Sequence, residues 1–192
     1  GAYKRTSSYF ENSDYASKGL PEGRELEILN EFKSELPPEL FEQEFKNPTT
    51  DGSGQPRDNL RAAMQILDDA GYTVGTDGIR AKDGVRLSFE IIDNQPEFER
   101  WVLPFIRNLN RIGIEAKFRT IDTSQYVARM NDFDFDVTIS SFGQSLSPGN
   151  EQREFWGSQA AGQPGSRNTI GIKNPAVDAL IEQVIYARDR GQ

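Results

Sequence analysis

The 192-residue sequence contains no cysteine and no histidine. The first absence excludes disulfides, thiolate metal sites and cysteine nucleophiles, and the second removes imidazole ligands, Ser-His systems and the commonest general base. Lack of cysteine suits an oxidising compartment without requiring one. Any catalysis by this chain alone would rest on carboxylates, lysine or tyrosine. No apolar run approaches the roughly 20 residues of a membrane span, and no charged-then-apolar leader, Gly-rich phosphate loop or nucleophile elbow is present. Positive charge is scarce as well. Against 30 acidic residues stand 22 basic ones, for a formal net charge of -8, and Lys and Arg form no run. Nucleic acid and anionic membrane surfaces are therefore disfavoured as partners. The length suits one substantial core or two small ones, with one main domain as the working expectation.

Residues 1–56 form the least regular part, expected as an irregular N-terminal segment and linker, with Tyr3, Tyr9, Phe10 and Tyr15 early and a helix-compatible stretch from Glu22 to Glu35. Pro37-Pro38 stops that helix. The turn-forming run from Asn47 to Pro56 reads as a surface linker, and Pro56 stands where a calcium loop would need glycine. Residues 57–192 then read as an α/β ligand-binding lobe. A helix from Arg57 carries Leu60, Met64, Leu67 and Ala70 on one face and is closed by Gly71. Asp77-Gly78 and Asp83-Gly84 predict a small hairpin feeding a half-buried strand from Val85 to Ile92. Glu97 to Ile112 carries an apolar stripe (Phe98, Trp101, Val102, Phe105, Ile106, Leu109, Ile112), interrupted at Pro104, where a kink or a lost bond is expected. Ile114 to Thr120 alternates as a strand, a helix capped by Asp122 or Thr123 follows, and Phe133 to Ile139 alternates as a third strand. The succession is βαβαβ with flanking helices, which implies parallel strands. Further on, Glu151 to Gly157 suits a short helix, and Asn174-Pro175 opens one whose buried face is Val177, Leu180, Ile181, Val184 and Ile185.

Several phrases, in their order, resemble a known family. Residues 61–72 (Arg-Ala-Ala-Met-Gln-Ile-Leu-Asp-Asp-Ala-Gly-Tyr), the strand Gly84 to Ile92, Asn110-Arg111-Ile112-Gly113-Ile114, the Tyr126 helix, Phe135-Asp136-Val137 and residues 171–181 are similar to the carboxyl-terminal lobe of extracellular solute-binding proteins serving oligopeptide and dipeptide ABC transporters. The wording of residues 143–153, with Tyr9-Phe10-Glu11-Asn12-Ser13, looks most like the Yej-type subgroup. The resemblance covers about Leu60 to Ile185. It implies a type II periplasmic-binding-protein fold, with this chain an incomplete lobe of a two-lobe clamp cut from a longer protein. It also implies peptide capture, delivery to a membrane permease with a separate ATPase, a periplasmic or extracytoplasmic location, and no cofactor, metal or catalytic residue. A fragment exposing an inter-lobe face is expected to self-associate. A sensor or scaffold use of the same lobe is the alternative, and a carboxylate-dependent enzyme a more distant one.

In open α/β layers ligands sit beyond the carboxyl ends of strands, so the polar loop Gly143 to Asn150 is the expected binding rim. The resemblance places Ser145 where relatives carry an Asp that pairs with the ligand's amino terminus; a hydroxyl cannot neutralise an ammonium. Glu151 can supply that charge, or be a first-turn carboxylate favoured by a helix dipole. Phe142 stands where relatives carry a ligand-flanking Trp, or is a core aromatic. Gln144, Ser147 and Asn150 can recognise peptide backbone or make turns. Arg153 and Arg167 can meet a carboxylate or phosphate, or be solvated. Asp134 and Asp136 share one strand face, as a general acid/base pair would, but period-two alternation makes that face polar in any case.

Overall fold

The computed structural model describes residues 6–50 and 55–188. Among them the helices are α1 (Gly23–Asn30), α2 (Glu39–Glu42), α3 (Arg57–Asp69), α4 (Glu99–Arg111), α5 (Thr123–Asn131), α6 (Glu151–Trp156) and α7 (Pro175–Tyr186). The strands are β1 (Thr73–Val74), β2 (Arg80–Lys82), β3 (Val85–Arg86), β4 (Ser88–Asp93), β5 (Glu115–Thr120) and β6 (Val137–Thr138). They fall into two compact units, residues 48–141 and residues 6–47 together with 142–188. The sequence boundary at residues 56/57 lies at the entry to α3, inside the first of these.

In the first unit β4, β5 and β6 form a parallel sheet in the order β5-β4-β6, with Ser88 opposite Glu115 and Ile91 opposite Val137. The expected βαβαβ succession is thus present, with α4 and α5 as its connections. The burial of β4 does not alternate: Ile91, Ile92 and Asp93, which point to opposite faces in turn, are all buried, so both faces are covered where one wet face was expected. Ile91 packs with Ile106 and Ala116, and Phe89, Val102, Leu109, Ile114 and Phe118 surround that cluster. Each isoleucine so buried contributes about 2 kcal/mol. The predicted strand Val85 to Ile92 is two strands. β3 pairs antiparallel with β2 through the two-residue turn Asp83-Gly84, both residues at positive φ, and β4 turns into the parallel sheet at Leu87.

Pro104 sits inside α4 without ending it. The stripe predicted for this segment is narrower than expected, because only Ile106 and Ile112 of it are buried while Trp101 and Phe105 are exposed. The third predicted strand is also shorter, reduced to Val137–Thr138. The residues before it close α5: Phe133 takes φ 55, its N–H bonds the carbonyl of Met130, and Asp134 N–H bonds that of Arg129. The same two-bond pattern ends α3 at Gly71 (φ 86, Tyr72 N–H to Leu67 O) and α4 at Gly113 (φ 84, Ile114 N–H to Leu109 O). Glycine enters this left-handed region freely, whereas phenylalanine does so at a cost of about 1 kcal/mol.

Arg80 joins two of these helix ends. Its side chain is 4% exposed; Nε donates to Ile112 O at 2.8 Å, and Nη1 donates to Tyr72 O at 2.9 Å and to Asp68 Oδ1 at 2.5 Å. A guanidinium thus satisfies carbonyls past the ends of both α3 and α4, where the helix dipoles favour a cation. Gly113 makes room for it, since a Cβ there would lie 2.9 Å from Arg80 Cγ.

In the second unit the N-terminal segment is not merely irregular. Helix α1 ends at Asn30, five residues short of the expected end, and turns fill residues 31–36. Asn174 caps α7 as predicted, its Oδ1 accepting from Ala176 N at 2.8 Å and Val177 N at 3.4 Å. The buried face of α7 fades toward its end. Ile181 is buried, but Val184 is exposed. Asn168, fully buried, staples the loop before α7: Nδ2 donates to Gly157 O and Ile172 O, and Oδ1 accepts from Gly171 N and Ile172 N, all within 2.9 to 3.1 Å. The expected surface linker falls partly on residues 51–54, outside the described residues.

Candidate functional site

By its packing the loop of residues 142–150 belongs to the second unit. Phe142 stacks at 4.9 Å from Trp156 and 5.4 Å from Phe155, with Tyr9 edge-on to Trp156 at 5.3 Å. Phe155 is 1% exposed and forms the floor of this aromatic group. Two tyrosines from the N-terminal segment reach the loop itself. Tyr9 Oη donates to Phe142 O and Tyr15 Oη to Leu146 O, each at 3.2 Å. Burial raises the Tyr9 phenol above its ordinary value, with Arg167 pulling the other way, so it remains a protonated donor. Sequence reasoning used Tyr9 only as part of a family resemblance and gave neither tyrosine a structural role.

The polar candidates are largely engaged with one another. Glu151 Oε1 accepts from Gln144 Nε2 at 2.9 Å, Gly149 N at 2.9 Å and Gln152 Nε2 at 3.1 Å. These donors, Gln144 foremost, hold its carboxyl down at about 2. Gln152, which the sequence did not single out, is buried; its Nε2 donates to Gln144 Oε1 at 2.7 Å and its Oε1 accepts from Trp156 Nε1 at 3.0 Å. Ser145 Oγ donates to Ser147 O and accepts from Ser147 N, both at 3.1 Å, making a tight turn within the loop. Asn150 and Arg153 are tied together, with Nη1 donating to Asn150 Oδ1 at 2.6 Å.

Arg153 faces away from this network. Nε and Nη2 each donate to one oxygen of Glu182 at 2.6 Å, a bidentate pair linking α6 to α7 that raises the guanidinium further and lowers the Glu182 carboxyl. It lines a cleft of about 350 Å³ with Ser158, Asp178 and Glu182. Ser158 N donates to Asp178 Oδ1 at 2.8 Å across the same cleft. Arg167 lies over the Phe155 ring at 4.2 Å, a cation on the underside of the aromatic group.

The carboxylates that suggested acid/base chemistry have structural partners in the first unit. Asp136 Oδ2 accepts from Glu90 N at 2.9 Å, and Asp134 Oδ2 pairs with Arg129 Nε at 3.0 Å. At the carboxyl end of β4, Asp93 is buried and its Oδ1 accepts from Gln95 N at 2.8 Å; burial outweighs that bond and raises its carboxyl.

What the loop and its helix can offer a ligand is a platform fixed in advance: backbone groups, hydroxyls and aromatic edges, with one ionised carboxylate held by neutral donors. Such a surface suits non-covalent recognition of a polar, extended molecule. The sequence comparisons bear on the same region. The model of "Bacterial extracellular solute-binding proteins, family 5 Middle" matches residues 30–164. The "Probable peptide-binding protein YejA" of Agrobacterium fabrum is 48% identical over 193 residues, spanning all of this chain and 31% of that protein. The "Peptidoglycan-binding protein YepA" of the same organism is 40% identical over 98% of this chain and 31% of its own length. Among solved structures, the oligopeptide-binding protein AppA of Bacillus subtilis in complex with a nonapeptide matches with a TM-score of 0.59 and 30% identity, covering 69% of this chain and 26% of that one. The chain thus spans about a third of the length of these relatives.

Proposed function

Since the chain belongs to the bacterial extracellular solute-binding proteins of family 5, we propose that it forms part of the substrate-binding component of a peptide ABC importer. The complete protein captures oligopeptides or peptide-like compounds by closing two lobes around them, and passes them to a membrane permease driven by a separate ATPase. The observation that carries this reading is the 48% identity to a probable peptide-binding protein along the whole chain, loop 142–150 included. The loop adds chemical support. Its serines, amides and aromatic rings match the neutral hydrogen-bonding groups and apolar side chains of a peptide, and the family's work is binding rather than catalysis. The ligand-facing set we propose is Phe142, Gln144, Ser145, Ser147 and Asn150, with Glu151 and Arg153 behind them. We propose an extracytoplasmic location, the periplasm, which the same membership supports. Among the described residues no helix is long and apolar enough to cross a membrane.

The test is calorimetric titration of the full-length protein with a pool of short peptides, followed by mass spectrometry of what is retained. Retention of peptides supports the proposal, and no retention overturns it. The 40% relative named for peptidoglycan favours a second ligand class, cell-wall fragments that carry peptide stems, and the same titration with a muropeptide pool separates the two. Trp101 and Phe105, four residues apart on one face of α4, are exposed. We propose that this face drives self-association of the isolated chain, and light scattering that finds only monomer at high concentration would refute it.

A further inference from the structure

We infer that Glu151 is a positioning residue: it holds loop 143–150 in its binding shape rather than pairing with a ligand ammonium. The inference rests on the proposed peptide-binding role of that loop. One carboxylate oxygen gathers donors from three places: Gln144 near the start of the loop, the Gly149 amide near its end, and Gln152 in the first turn of α6. The two ends of the loop are thereby tied to a single atom. Gln152 closes the ring by donating to Gln144 Oε1, and Trp156 Nε1 locks Gln152 in turn, so the loop is coupled through buried side chains to the aromatic floor.

The chemistry favours this role over direct recognition. Three hydrogen bonds converge on Oε1, each strengthened because the acceptor is ionised. Together they fix the carboxylate against the loop's own backbone, and the Gly149 position is closely approached, a Cβ there lying 3.4 Å from Glu151 Oε2. Among the described residues the other side-chain ties to the loop are the Ser145–Ser147 turn, the Asn150–Arg153 bond, Gln144 Nε2 on Ser145 O and the Tyr15 hydroxyl on Leu146 O, and none of them joins its two ends. An ordered loop spares the ligand the entropy of arranging it, so the effect on affinity is uniform across ligands rather than specific to their charge.

The experiment uses the full-length protein with Glu151→Ala and Glu151→Gln, in two measurements. Amide hydrogen exchange of the unliganded protein reads the loop directly. Glu151→Ala is expected to speed exchange at residues 144–149 by about tenfold or more while leaving the Asn168 segment unchanged. Glu151→Gln, which keeps an acceptor oxygen, is expected to restore most of the protection. Unchanged exchange in the alanine variant overturns the inference whether or not peptides bind. The second measurement is the affinity for tri-alanine with a free and with an acetylated amino terminus. Positioning predicts that alanine weakens both forms equally, by about tenfold, and that glutamine rescues both. A loss confined to the free-amine peptide, equal in alanine and glutamine variants, makes Glu151 an ammonium anchor and overturns the inference. If the wild-type protein binds neither peptide, the peptide reading fails while the exchange result still decides the role of Glu151.

Discussion

In the unit of residues 48–141 the buried side chains of the central strand are Ile91, Ile92 and Asp93, and Ile91 packs among other apolar groups. In the unit of residues 6–47 and 142–188 the largest fully buried side chains are Phe155 and Asn168, and the second makes four hydrogen bonds to backbone. The first unit is ordered mainly by the removal of apolar surface from water, a term proportional to area and tolerant of detail. The second depends on donors and acceptors meeting at fixed geometry, where one missing partner leaves others stranded. A binding surface needs that second kind of order, because a ligand reads positions of polar atoms rather than buried area.

The sharpest way to separate the two is to truncate each in its own currency. Ile92→Ala removes three buried carbons from the centre of the sheet and is expected to destabilise the first unit by about 4 kcal/mol. Urea unfolding measures the loss, and amide exchange that rises in β4 and β5 but not around Asn168 confines it to that unit. Asn168→Ala removes the side-chain partner of both backbone groups of Ile172 and one of two partners of Gly157 O and Gly171 N, and is expected to cost about 3 kcal/mol, read in the same way from residues 157–172. Equal exchange changes in both units, from either variant, would dissolve the contrast. Arg80→Ala probes one of the two buried polar groups among the described residues of the apolar unit, the other being Asp93. It leaves Ile112 O and Tyr72 O short of a donor, with an expected loss of about 2 kcal/mol and faster exchange at the ends of α3 and α4.

The smallest effect is in pH dependence, and there the units oppose one another. Glu151 sits below its ordinary value, so its contribution is complete above about 4.5 and is lost as pH falls toward 2. Asp93 sits above its ordinary value through burial, so the cost of its charge is relieved as pH falls through its folded-state pKa. Compared with the native chain across an acid titration of unfolding midpoints, Glu151→Gln is expected to remove a downward slope and Asp93→Asn an upward one. Slopes of the same sign would contradict one of the two assignments.

The sequence disclosed the first unit far better than the second, for physical reasons visible in particular residues. Gly71 and Gly113 announced two helix ends because only glycine enters φ near 85 without strain, and both ends lie where expected. Phe133 does the same work for α5 without the glycine, and its apolar side chain was absorbed into an apparent alternation that overextended β6. Ile92 was misread because alternation reports one wet face, and β4 is buried on both faces at Ile91, Ile92 and Asp93. In the second unit, local pattern found the α7 cap at Asn174 but could not see Tyr9 meeting Phe142, a pairing across 133 positions. The candidate loop was legible from its turn residues; that its carboxylate serves its own amides was not, since hydrogen-bond direction leaves no periodicity.

That separation of 133 positions also sets an order of events. On a growing chain the N-terminal aromatics emerge long before the residues they pack against, and the whole of residues 48–141 is made in between. Closing so long a loop is entropically slow while its interior is slack, and the slack disappears once that interior has folded. The proposed recognition surface is therefore expected to be assembled last, on a chain whose sheet is already in place, and Tyr9 to spend the interval as an exposed aromatic in need of protection from wrong partners.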